Sequence, residues 1–220
     1  MRTTINPLKI VRDVIVIGAS AGGHAAVGEI LSRLPKDLPA FIGVVIHRGA
    51  VSKSNWSHSL GIKSELRVVE PASGDALVRG VVYIAPGDCH MTFDADHIVL
   101  DGGAKEHFTR PAVDPLFVSA AKAYGPRVVA VILTGGGHDG MEGLLHVTTE
   151  GGLCLVQKPS QAEHASMPKY AIAHDHVAAA LTVEEIGDGL VCLARGQVLG
   201  IDAAEQVEQR EGAGRSSVGR

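Results

Sequence analysis

Two short runs constrain this 220-residue chain more than any other feature. Val14–Ile17 and Val128–Leu133 are unbroken apolar stretches rich in β-branched residues. The first breaks into Gly18-Ala19-Ser20-Ala21-Gly22-Gly23, the second into Thr134-Gly135-Gly136-Gly137-His138-Asp139-Gly140. A strand with one wet face alternates apolar and polar residues. A run without alternation is buried on both faces, as in a parallel sheet covered by helices. Phe41–Ile46 repeats the pattern and ends at His47, while Leu66–Val69, Val81–Ile84 and Leu153–Val156 read as shorter strands. Between them lie helical spacings: Val27, Ile30, Leu31 and Leu34 closed by Pro35, then Val113–Tyr124, Met141–Thr149, Pro168–Ala173 and Val183–Ala194. The polar segment 52–59 can begin a further helix. Met91–Phe93 and Ile98–Leu100, separated by 94–97, read as a hairpin. The fold class expected is α/β: a doubly wound, mostly parallel sheet with helices on both faces and a β-hairpin. Residues 1–12 form a lead-in, 13–200 one domain, and 201–220 a polar, Gly/Ser-rich tail expected to be disordered.

Composition excludes several classes. Net charge is −4 with no Lys/Arg-rich run and only 4% aromatics, so nucleic acid is not an expected partner. The three cysteines, Cys89, Cys154 and Cys192, are widely separated and form no C-x-x-C, which argues for reduced thiols in a cytoplasmic protein. Lys9 and Arg12 before an apolar run, followed by Ala19-Ser20-Ala21, imitate a secretion signal. Asp13 interrupts the join, however, and the run is too short for a signal core. No stretch is apolar enough to span a membrane.

In a doubly wound sheet, ligands collect beyond the carboxyl ends of the strands. Three such ends carry reactive chemistry. Gly18-Ala19-Ser20-Ala21-Gly22 matches G-x-S-x-G, a sharp strand-to-helix turn that presents a serine hydroxyl. A hydroxyl is a weak nucleophile and needs a base; His47, ending the next long strand, is the best-placed of eleven histidines. Asp139, in the glycine-rich loop after Val128–Leu133, can hold the imidazole in its useful tautomer. Each has a plainer reading: Ser20 and Asp139 as helix caps, His47 as a half-buried histidine. Together they imply a serine hydrolase, with oxyanion donors from the Ala21 backbone N–H and from the Gly135–Gly137 loop.

Several stretches then resemble one family, the catalytic domain of bacterial chemotaxis protein-glutamate methylesterases (CheB-type). They are residues 16–23, Val44-Val45-Ile46-His47, the segment 83–91, Arg110-Pro111-Ala112-Val113-Asp114-Pro115-Leu116-Phe117, the segment 133–140, and Met167-Pro168, in family order. The resemblance implies the triad Ser20, His47 and Asp139, and oxyanion amides at Ala21 and Gly136. It further implies a substrate contact at Met167, no metal and no organic cofactor. The implied reaction is hydrolysis of protein glutamyl methyl esters, with possible deamidation of glutamine. The implied partner is a methylated chemoreceptor or similar signalling protein. Relative to the family pattern, Ala21 replaces threonine, Gly136 replaces methionine, and Arg48 replaces an apolar residue. Twelve leading residues cannot form the receiver domain usual in the family, so the chain resembles a stand-alone catalytic domain with a possible separate regulator.

Two other readings compete. Gly18–Gly23 can be read as a dinucleotide-binding G-x-G-x-x-G, but Ser20 occupies the middle glycine, and His47-Arg48 rather than an acid ends the second strand. The changes at Ala21, Arg48 and Gly136 also suit a non-catalytic relative that only binds a signalling partner.

Overall fold

Each unbroken apolar run becomes a strand of one seven-stranded sheet. The computed structural model describes residues 10–49, 55–174 and 176–199. The tail expected at 201–220 and most of the lead-in lie outside the described residues. In chain order the elements are β1 (Val14–Ala19), α1 (Gly23–Arg33), β2 (Phe41–Ile46), α2 (Trp56–Gly61), β3 (Arg67–Val69), β4 (Val81–Ile84), β5 (His90–Asp94) and β6 (His97–Asp101). There follow α3 (Val113–Tyr124), β7 (Val128–Ile132), α4 (Met141–Thr149), β8 (Leu153–Gln157), α5 (Ser166–Ala173), β9 (Ala179–Leu181) and α6 (Val183–Ala194). The sheet order is β3-β4-β2-β1-β7-β8-β9, and every neighbouring pair is parallel. β5 and β6 form the separate antiparallel hairpin.

The period of two explains the layers. Ile15 and Ile17 point to one face, where they meet Val27 and Ile30 of α1 and Ile186 and Leu190 of α6. Val14 and Val16 point to the other, against Leu116 and Phe117 of α3 and Leu144 of α4. Both faces are dry, which is why β1 carries no polar residue. α6 opens with a capping box: the Glu185 amide donates to Thr182 Oγ1 (3.1 Å) and the Thr182 amide to Glu185 Oε2 (2.7 Å). β9 is absent from the sequence expectations because three residues are too few to register a period. α2 begins at Trp56, with the Asn55 side chain accepting from the His58 amide. Among the described residues no helix is long and apolar enough to cross a membrane.

The chain leaves β1 to form α1 on one face and leaves β7 to form α4 on the other. The crevice between these adjacent strands therefore opens at their carboxyl ends, the topological switch point. β2 lies on the far side of β1, in register Ala19–Ile46.

α3 is clamped between sheet and hairpin at Gly43 of β2. A Cβ there would stand 2.6 Å from Phe93 Cζ and 3.1 Å from Leu116 Cδ1, and the Phe93 ring stacks edge-on to Phe41 at 5.9 Å. Gly43→Val should overpack this layer and lower stability by about 1–3 kcal/mol, read as a lower urea midpoint with an unchanged m-value.

Candidate active site

Ser20 is the first residue beyond β1. Its amide donates to the Thr134 carbonyl (3.0 Å) and its carbonyl accepts from the Gly23 amide (2.9 Å), which starts α1. The turn is made at Gly22, with φ +76°, a region costly for any residue with a Cβ. Ser20 thus stands at a helix N-terminus, where free amides and the helix dipole favour negative charge.

His47 is the first residue beyond β2, and its amide donates to the Ala19 carbonyl at 2.9 Å. The register Ala19–Ile46 makes Ser20 and His47 neighbours on adjacent strands, about 4.8 Å apart in such a sheet. The imidazole is turned so that Nε2 donates to Asp139 Oδ2 at 2.6 Å. A carboxylate only accepts, so Nε2 carries a proton and Nδ1 is the nitrogen left for another partner. No hydrogen bond joins Ser20 to His47 in this structure. The expected triad is thus joined at its imidazole–carboxylate end only.

Asp139 is 1% exposed and fully engaged. Oδ2 also accepts from the Val113 amide (2.7 Å) and Oδ1 from the Asp114 amide (3.1 Å), two of the orphan donors at the start of α3. Burial by itself would raise the Asp139 pKa, but the bonds from His47 and these amides outweigh it and hold the group below its ordinary value. The carboxylate is therefore an anion beneath the imidazole.

The family pattern described as CheB methylesterase matches residues 15–190. The chain belongs to the CheB methylesterase family. It is 35% identical over 193 residues to protein-glutamate methylesterase/protein-glutamine glutaminase 2 of Methanosarcina mazei, covering 84% of this chain and 53% of that protein. It is 36% identical over 177 residues to a putative protein-glutamate methylesterase/protein-glutamine glutaminase of Leptospira interrogans, covering 80% of this chain and 92% of that one. The crystal structure of the Thermotoga maritima CheB methylesterase catalytic domain superposes with a TM-score of 0.79 at 35% identity, covering 81% of this chain and 97% of that domain. The chain spans about half the length of the M. mazei relative.

The positions where the chain departs from the family pattern have simple surroundings. The Ala21 and Gly136 amides bond to no acceptor among the described residues, so both can still donate. A Cβ at Gly136 would meet nothing within 4 Å, which leaves that wall of the site open. The Gly135 amide, by contrast, is spent on the His164 carbonyl (2.9 Å). Arg48 brings no unbalanced charge to the base: it pairs with Glu70 (2.9 Å), donates to the Ala85 carbonyl (2.8 Å) and lies 5.1 Å over Trp56.

Met167, expected to touch substrate, is 0% exposed. Its amide donates to the Gly135 carbonyl (3.0 Å), and its Sδ lies 2.3 Å from where a Gly135 Cβ would stand. The start of α5 turns this side chain inward, so Met167 supports the loop from behind. Gly135 is squeezed between it and Ser20, whose Cβ is 2.6 Å from the same point. The loop is held further by Gln157, whose Oε1 accepts from the Thr134 amide (2.8 Å), and by Thr134 Oγ1, which accepts from the His164 amide (2.8 Å). Both polar side chains are buried at strand ends, where single polar residues leave no periodic signal.

Asp114 has no role in the sequence reading beyond its place in the family-like stretch 110–117. Arg110 binds Asp88 (2.6 Å), and Asp114 is 3% exposed behind Asp139. Its Oδ1 accepts from the Gly143 amide (2.7 Å) and its Oδ2 from His107 Nε2 (3.0 Å). Donor atoms of His107, Asp114 and Asp139 come within 4.8 Å of one another, already joined through these hydrogen bonds. Burial, together with the nearby Asp139 charge, pushes the Asp114 carboxyl up to about 6 from 3.8. The folded state therefore holds this proton where the unfolded chain has released it. The stability this provides is full below about pH 4 and is lost as pH rises through about 6. Asp114→Asn removes that loss, so the Tm of the variant minus that of the parent should rise between pH 4 and pH 7 in paired thermal melts.

Proposed function

We propose that this chain is a serine hydrolase that cleaves protein glutamyl methyl esters to glutamate and methanol, with Ser20 as nucleophile, His47 as base and Asp139 as its carboxylate partner. The observation that carries this reading is the 2.6 Å bond from His47 Nε2 to a buried, anionic Asp139, which leaves Nδ1 as the free base on the strand beside Ser20. Hydrogen bonds of this kind commonly close only when substrate is bound.

His47 Nδ1 takes the Ser20 proton as the hydroxyl oxygen attacks the ester carbonyl. The resulting imidazolium is stabilised by Asp139, and the oxyanion by the Ala21 and Gly136 amides at the mouth of α1. The intermediate collapses, the C–O bond to the methoxy group breaks, and the Nδ1 proton leaves with methanol. Water then attacks the acyl-enzyme, giving its proton to His47, and glutamate and the free Ser20 hydroxyl are restored. A glutamine side chain fits the same sequence with ammonia as leaving group. The protein substrate is a methylated chemoreceptor or a similar signalling protein. The methylesterase/glutaminase names of the relatives support a glutamyl ester or glutamine side chain on a protein as the reacting group.

A dinucleotide-binding role has a specific feature against it. The Glu163 carboxylate lies 2.8 Å from the position of a Gly22 Cβ, so an acid stands against the glycine turn, which disfavours an anionic ligand there.

Methanol release from methylated receptor fragments tests the proposal. The parent protein should release methanol and Ser20→Ala should not; equal background in both removes the hydrolase reading. Asp139→Asn should lose on the order of 10⁴ in kcat, because the imidazole loses its tautomer and its counter-charge. Gly135→Ala should lower kcat/KM about 100-fold with little change in circular dichroism, since its methyl would press on Ser20 and Met167.

A further inference from the structure

A small cavity of about 310 Å³ opens beside the triad histidine, walled by His47, Arg48, Asp88, Lys105, Phe108 and Arg110. Its outer lip is a tight two-residue turn. Glu106 and Thr109 exchange both backbone hydrogen bonds (3.2 and 2.8 Å), leaving His107 and Phe108 at the tip with φ +48° and +65°. Positive φ at both central positions ordinarily selects Asn-Gly; a phenylalanine there is strained. The strain secures no packing, because Phe108 is 96% exposed.

The turn is nevertheless held firmly. His107 Nε2 donates to the buried Asp114, Thr109 Oγ1 donates to the Glu106 carbonyl (3.0 Å), and the same hydroxyl lies 3.5 Å from His47 Nε2. A rigid, strained element that displays a bare aromatic ring next to a catalytic base is built to meet something outside the chain. The charge around it points to what. Arg48 is neutralised by Glu70 and Arg110 by Asp88, whereas Lys105 is exposed and forms no ion pair among the described residues. Among the described residues that wall the cavity, Lys105 is therefore the charge left without an ion-pair partner.

We propose that the 105–109 turn grips the polypeptide flanking the esterified residue: Phe108 covers an apolar side chain, and Lys105 pairs with an acidic one. This rests on the hydrolase reading above and narrows its substrate to esters set among acidic and apolar neighbours.

Fluorescently tagged peptides with one glutamyl methyl ester test it, flanked by Glu and Leu, by Lys and Leu, or by Glu and Ser. Binding is read by anisotropy on the Ser20→Ala variant, and turnover by methanol release from the parent. The Glu/Leu peptide should bind tightest. Adding Lys105→Glu should cancel or reverse the preference for Glu over Lys, a change of about threefold. Adding Phe108→Ala should remove the preference for Leu over Ser, about tenfold. Phe108→Gly in the parent should melt no lower than the parent while weakening the grip, since glycine relieves the positive φ; a merely structural Phe108 would lower both. Equal binding of all three peptides, or preferences unchanged in the variants, overturns the inference even where methanol is released. Selective binding without methanol release from the parent supports the grip and removes the hydrolase reading instead.

Discussion

The Asp139 carboxylate is the point on which the site depends. It accepts the two first amides of α3, from Val113 and Asp114, and the His47 Nε2–H. One buried anion thereby caps a helix, fixes the direction of an imidazole and ties the loop after β7 to the strand end of β2. Burial works against a charge, and only this full set of donors keeps the group ionised. Any change that tilts α3 therefore reaches the His47 imidazole directly, which gives the clamp around Gly43, Phe93 and Leu116 a consequence for the geometry of the site as well as for stability.

Behind Asp139 the same logic repeats with a second carboxylate. Asp114 receives the Gly143 amide of α4 and His107 of the lip turn, so α3, α4 and the outer rim are joined through one buried acid. The two carboxylates have opposite environments. Asp139 is surrounded by donors and stays charged; Asp114 is raised by its burial and by the field of Asp139, which its own donors do not offset. The relay and the rim are thus parts of one hydrogen-bonded unit rather than separate loops.

The Ser20 side is built on close contact. Gly135 lies where any side chain would collide with Ser20 or Met167, while Thr134 and Gln157 satisfy the buried backbone around it. This explains a glycine-rich loop whose members have different tasks: Gly135 for proximity, Gly136 for an amide facing open space. It also explains why Met167, which sequence alone suggested as a substrate contact, works from behind the loop.

The sequence by itself determined the sheet. Runs such as Val14–Ile17 and Val128–Leu133 have no polar face, so parallel burial is their only low-energy arrangement, and glycine-bounded strand ends locate Ser20, His47 and Asp139 at the crevice. The motifs also carried the CheB resemblance. Tertiary structure alone decided which nitrogen of His47 meets Asp139, that Arg110 pairs with Asp88 and Asp114 with His107, that Met167 is buried, and that Phe108 is bare. These outcomes depend on the packing of α3 and α4 and on a tight turn with positive φ. Such contacts join residues up to 92 positions apart and leave no periodic trace in the chain.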